Sequence, residues 1–129
     1  MKIRINGTKG PKDAQKLSLN FDKYLKTISN ATEDLDYANC AWFDIDTLEL
    51  YLSYIKVKAY SKKQKLTGIR IYFGNYDNEG KKGKLTVFIS PTIGDSENKN
   101  LSPNDKDMDI EVLNFGQSGY PPKKTYPHN

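Results

Sequence analysis

The stretch "GIRIYFGNYD", residues 68–77, sets a permanent cation, Arg70, inside an apolar run. Of the twenty basic residues only Arg4 and Arg70 are arginines. In a chain so biased to lysine, an arginine marks a place where a planar fork of five donors matters. Tyr72 and Tyr76 follow at alternate positions. Together they offer the chemistry of gripping an anionic or planar group. The competing reading is structural: Arg70 pairs with a carboxylate of its own chain, Asp44 or Glu49, or lies on an exposed sheet face.

Other chemistries find fewer residues. The one histidine, His128, is next to last in a proline-rich tail, which leaves no basis for a Ser-His-Asp or Cys-His site. One histidine and one cysteine, Cys40, do not make an ordinary structural zinc site, and Cys40 beside Trp42 reads as a small buried packing residue. There is no Walker loop and no G-x-G-x-x-G. Asp44 and Asp46 could serve as an acid and base pair, though helix capping explains them more simply. Asp105, Asp107, Asp109 and Glu111 alternate in "DKDMDIE". Ile110 stands where a calcium loop needs Gly, and Gly116 where it needs the bidentate Glu. A strand edge with these acids outward and Met108, Ile110 and Val112 inward fits better. The lysines at 62, 63 and 65 and at 81, 82 and 84 could touch phosphates, or line solvated loops.

The elements that would position these residues can be read from spacing. "MKIRIN" alternates like a short strand, and "GTKGPK" breaks it. Pro11 suits the first position of a helix. Ala14, Leu17, Phe21, Leu25 and Ile28 then recur at helical spacing, which predicts a helix over 11–29. After an acidic, turn-rich stretch, "CAWF" reads as extended and leads into a second helix capped by Asp44 or Asp46. Leu48, Tyr51, Leu52, Ile55 and Ala59 form its main stripe, and Leu50, Tyr54 and Val57 a second, which predicts burial on two sides.

"TGIRIYFGNYD" and "GKLTVFISPT" read as strands joined by a hairpin through "NEGKKG". Strand residues alternate faces. A hairpin closed near Gly80 sets Tyr72 beside Phe88, Arg70 beside Ser90 and Gly74 opposite Thr86. One face, with Ile69, Ile71 and Phe73, reads as aliphatic and is expected to pack on the helices. The other carries Arg70, Tyr72, Tyr76, Phe88 and Ser90, the candidate ligand-binding set. "DIEVLNF" suggests a last strand. The tail "GQSGYPPKKTYPHN" cannot form helix, and Tyr120, Pro121 and Pro122 are its candidate partner-binding residues. Self-docking of 115–122 onto the domain is the favoured reading, because "LNFG" leads into it from an apolar stretch, and recognition by a partner is the other.

Composition bounds the rest. The 129 residues amount to one ordinary domain, expected to comprise 1–115 with a tail at 116–129. Hydrophobic residues are 36% and mean hydropathy is −0.75, so much of the chain is loop or solvated surface. Nine Tyr against five Phe and one Trp suit a half-wet core edge or a binding face. Net charge is +4, but its layout is in blocks: +5 over 1–26, −6 over 27–55, +7 over 56–84 and −2 over 85–129. That is not the uniformly basic pattern of a dedicated DNA binder. No signal-peptide core is visible, no run reaches the roughly 20 apolar residues that span a bilayer, and a lone thiol suits a reducing cytoplasm.

Three pieces in order, "AWF" with "TLELYLSYI", "GIRIYFGNYD" with "KLTVFISPT", and "NFGQSGYPPK", resemble a group of small bacterial proteins. That group pairs a Trp/Phe-led helix with a G-I-R-I-Y-[FY]-G strand, a second apolar strand and a C-terminal Pro-Pro segment. The resemblance spans roughly residues 40–123. Cysteines often flank the Pro-Pro pair in the group, whereas Tyr120 and Lys123 stand there in this chain. The resemblance implies that Arg70, Tyr72 and Gly74 act as a unit, and it implies no activity.

The expected fold is α+β: two main helices packed on one face of a small antiparallel sheet, with a Pro-rich tail. The expected function is that of a non-enzymatic cytoplasmic binding or interaction protein, an accessory or regulatory subunit with a protein partner, no membrane and no cofactor. The alternative is a nucleotide or single-stranded nucleic-acid binder using the Arg/Tyr face. An enzyme working through carboxylates alone, Asp44 and Asp46, is the third reading.

Overall fold

Pro11 has no amide proton to lose and opens α1, Pro11–Ile28, whose ladder begins where the Ala14 amide donates to Gly10 O at 3.1 Å. The computed structural model describes residues 5–28, 40–75, 85–94 and 101–114. The expected strand at "MKIRIN" and the hairpin loop "NEGKKG" lie largely or wholly outside them, as does the tail from 115. Asp13 in the first turn of α1 and Lys26 in the last complement its dipole. Of its apolar stripe, Leu25 is buried, while Leu17 and Phe21 stay exposed.

The second helix, α2, spans Ile45–Ser61. Asp44 is its N-cap, with Oδ2 accepting from the Thr47 amide at 2.9 Å. Thr47, through its side-chain hydroxyl first and this amide second, holds the Asp44 carboxyl below the usual aspartate value. At the other end, Lys63 N–H donates to Tyr60 O at 3.1 Å and Gln64 N–H to Ala59 O at 2.9 Å. This pair of bonds is the Schellman pattern, with Lys63 in the left-handed region at φ 57° where glycine is usual. The motif turns the chain directly into the sheet.

The sheet has order β1-β2-β3, with β1 Lys65–Asn75, β2 Leu85–Gly94 and β3 Lys106–Asp107, all antiparallel. The architecture is α+β. The register is the one that the hairpin pattern requires: Arg70 opposite Ser90, Tyr72 opposite Phe88, Gly74 opposite Thr86. A bulge falls between Leu66 and Gly68.

The core forms where α2 crosses β2. Tyr51 and Ile55 pack with Ile89, and Ala59 with Ile93 and Met108. Burying these side chains is worth roughly 1.5–3 kcal/mol for each large aliphatic. Three expectations need correction here. First, α2 buries one face, not two: Leu50 and Val57 of the second stripe are exposed. Second, Ile69, Ile71 and Phe73 do not pack on the helices. They are 43%, 54% and 86% exposed, because the core that α2 builds with Ile89, Ile93 and the 108–113 segment takes in β1 only at Leu66 and leaves 69–73 uncovered. Third, "DIEVLNF" is not a continuous strand. It touches β2 through one bridge, Leu113 to Ile89, with bonds of 2.8 and 3.0 Å.

The physical reason for the third is that α2 competes for that backbone. The Tyr51 hydroxyl donates to Glu111 O at 2.7 Å, and Lys62 Nζ to Asp109 O at 3.1 Å. Met108 does point inward, as its place in the alternation suggests, but Val112 is exposed. Cys40 is also exposed rather than buried. Among the described residues no helix is long and apolar enough to cross a membrane.

Candidate functional site

The face of the sheet opposite α2 assembles four of the five candidate ligand-binding residues. β1 supplies Arg70 and Tyr72, and β2 supplies Phe88 and Ser90. The rings of Tyr72 and Phe88 stack with centroids 5.0 Å apart and an interplanar angle of 16°. Tyr76 lies outside the described residues, as do Tyr120, Pro121 and Pro122.

An acid of the same chain sits where an anionic ligand was expected. Arg70 Nη1 donates to Asp107 Oδ1 at 2.6 Å, and the Tyr72 hydroxyl donates to Asp107 Oδ2. Tyr72 first, then the Arg70 charge, holds the Asp107 carboxyl below the usual aspartate range. Ser90 adds a smaller influence in the same direction on this carboxylate. The other arm of the fork, Nη2, donates to Pro103 O at 2.5 Å and Asp105 O at 2.7 Å. One guanidinium thus ties a carboxylate and two carbonyls of the 103–107 segment to the sheet, a use for which the flat multi-donor fork is suited and an ammonium is not. The partner of Arg70 is Asp107 and not Asp44 or Glu49. Asp44 is engaged in capping α2.

Asp107 and the two carbonyls are what a reading of the sequence misses. Their one signal is the alternation of acids from Asp105 to Glu111, which places Asp107 outward without saying what it meets. A second Tyr/acid pair repeats the arrangement at the other side of the core: the Tyr54 hydroxyl donates to Glu111 Oε2 at 2.7 Å. That bond, more than any other influence, depresses the Glu111 carboxyl.

Beside Arg70 an open groove of about 570 Å³ lies over β1. Thr67 to Ile71, Thr92 and Leu101 to Pro103 line it. Five consecutive strand residues line it, so it follows the β1 backbone and not one side-chain row. Among the described residues no three His, Cys, Asp or Glu side chains come together as a metal-binding group. No family model, curated protein or solved structure matches the chain.

Proposed function

We propose that this chain is a non-enzymatic interaction module, an accessory or regulatory subunit, that presents the outer edge of β1 to a protein partner. One observation carries the reading. Ile69, Ile71 and Phe73 stand exposed in a row on an edge strand of eleven residues. Natural sheets blunt long edges with charge, proline or shortness. The β3 edge is blunted in this way: it has two residues, Lys106 and Asp107. The β1 edge keeps three large apolar side chains, the pattern of a strand that pairs with another chain. The likeness to the G-I-R-I-Y-F-G group supports treating this strand as one functional unit. A cytoplasmic setting rests on the lone cysteine.

The nucleotide reading draws less support. The Arg70 fork already meets one carboxylate and two carbonyls, so a phosphate would have to displace all three contacts or share the remaining donors. Flat fluorescence anisotropy at low salt with RNA, DNA and mononucleotides is the result expected, and salt-sensitive binding would revive it.

The test of the main reading is affinity capture from the source cells with wild-type bait and Phe73→Lys bait, compared by quantitative mass spectrometry. A partner retained by wild type and lost with Phe73→Lys is expected. Identical recoveries from the two baits would remove the β1 edge from the proposal.

A further inference from the structure

The turn ahead of α1 carries chemistry of its own. We infer that Asn6–Gly7 is a site of spontaneous covalent modification, at which the Asn6 side-chain amide is lost and the residue becomes a mixture of aspartate and isoaspartate. The inference is independent of the β1 reading. Of the eleven asparagines in the chain, Asn6 alone is followed by glycine.

The reaction needs only water. The backbone nitrogen of Gly7 gives up its proton and attacks Asn6 Cγ. The N–Cγ bond forms, the Cγ–Nδ2 bond breaks, and ammonia leaves. The product is a five-membered succinimide, which water then opens. Addition of water at Cγ leaves aspartate. Addition at the backbone carbonyl carbon of residue 6 leaves isoaspartate, with the chain routed through Cγ and one methylene longer. On balance one water is consumed, one ammonia is released, and a carboxylate replaces a neutral amide.

Three observations place the reaction here. Asn6 and Gly7 form an exposed turn. Gly7 holds φ 89°, the value that the third residue of a type II turn takes, and a Cβ built on it would meet nothing within 4 Å. The attacking nitrogen therefore has no side chain beside it and open space around it. Among the described residues, neither the Asn6 side chain nor the Gly7 amide takes part in a hydrogen bond. The side-chain bond that spans the turn runs from the Thr8 hydroxyl to Ile5 O at 3.1 Å and is exposed. Swinging Gly7 N toward Asn6 Cγ has that bond to break, and an exposed hydrogen bond favours the closed turn by no more than about tenfold. Asn20 and Asn104 lack this combination. Asn104 is followed by Asp105, whose amide donates to Ser102 O at 3.1 Å. Asn20 lies inside α1, where the Phe21 amide belongs to the helix ladder.

The test is peptide mapping by mass spectrometry of the full chain, held for days at neutral and at mildly alkaline pH, both folded and unfolded in guanidinium. Asn6 should convert in the folded chain at a rate within about tenfold of that in the unfolded chain. Conversion should be faster at the higher pH, because the nucleophile is the amide nitrogen after loss of its proton. The product should contain isoaspartate, read by enzymatic methylation of the isoaspartyl carboxyl. Asn20 and Asn104 should keep their amides in the folded chain over the same period. Asn6→Gln moves the amide carbon one methylene out of place and should slow release of ammonia by about a hundredfold, with circular dichroism confirming the fold. An Asn6 that survives in the folded chain while it converts in guanidinium would overturn the inference, because the turn would then protect the bond. Aspartate as the sole product would overturn it too, since that requires direct hydrolysis without a succinimide. Loss of the Asn104 amide ahead of that of Asn6 would equally overturn it, because the turn at Gly7 would then not choose the site.

Discussion

Arg70 and Asp107 meet at 2.6 Å with the whole of β2 between their strands. The contact binds the last strand and its loop to the first strand, although the two lack any backbone pairing. Arg70→Lys keeps the charge and loses the fork, so it can hold Asp107 or the carbonyls of Pro103 and Asp105, but not all three. Amide exchange across 101–107 should accelerate severalfold in this variant, with exchange in α2 unchanged. Equal exchange rates in both proteins would mean that the pairing of Lys106 and Asp107 with β2 holds the segment without help.

The same contacts set a dependence on pH. Asp107 and Glu111 are both depressed in the folded chain, Asp107 chiefly by the Tyr72 hydroxyl and Glu111 chiefly by that of Tyr54. Each binds a proton less readily folded than unfolded. Their contribution is therefore complete above the ordinary values of 3.8 and 4.5 and is lost as pH falls through the lower folded values. Urea denaturation between about pH 6 and pH 2 should show stability falling below about pH 4.5. Asp107→Asn and Tyr54→Phe should each flatten the fall. Profiles parallel to wild type in both variants would show that these carboxylates do not drive acid unfolding.

How much of this could be read from the chain differs by kind of information. Period-two alternation and a turn near Gly80 were enough to pair Arg70 with Ser90 and Tyr72 with Phe88, because register is a local property of a hairpin. The start of a helical stripe narrowed the cap to Asp44 or Asp46, and the hydrogen bond to Thr47 decides for Asp44. What alternation does not contain is cover. It says that Ile69, Ile71 and Phe73 share a face, and it says nothing of whether a helix lies over them. That depends on where α2 crosses, which Ile55, Ala59 and Met108 decide from distant parts of the chain. The partner of Arg70 is unreadable for the same reason: Asp107 is 37 positions away, and its approach is set by a loop with no periodicity. The strand expected over 109–115 failed because the Tyr51 hydroxyl and Lys62 take backbone carbonyls that a ladder would have used.

The end of α2 offers a gain in stability. Lys63 holds φ 57° in a Schellman motif, a conformation costing roughly 1–2 kcal/mol for a residue with a Cβ. Gly at this position removes that strain but adds freedom to the unfolded chain, worth up to about 1 kcal/mol in the other direction. Lys63→Gly should therefore raise the midpoint of thermal unfolding by about 2–4 °C. A lower midpoint would indicate that the lysine side chain contributes contacts that outweigh its backbone strain.

Gly94 closes β2 under the opposite constraint. A Cβ added there would stand 2.9 Å from Thr67 Cγ2 and 3.4 Å from Asp105 Oδ2. The threonine has little freedom to yield, because its hydroxyl is hydrogen-bonded to that of Thr92 at 2.9 Å, and rotating the methyl away breaks that bond. Gly94→Ala should thus destabilise by about 1–3 kcal/mol, the usual cost of overpacking, read as a lower midpoint in urea. Gly68 gives the control: its added Cβ would meet only Thr92 Oγ1, at an ordinary 3.5 Å, so Gly68→Ala should be neutral or stabilising by up to about 1 kcal/mol. Thr67→Ser removes the conflicting methyl and keeps the hydroxyl. Combined with Gly94→Ala it should restore most of the loss, giving a coupling between the two sites of about 1 kcal/mol or more. Strict additivity of the two changes would show that the conflict is relieved elsewhere, by movement of the Asp105 loop, and would also predict faster amide exchange at Asp105 in the single variant.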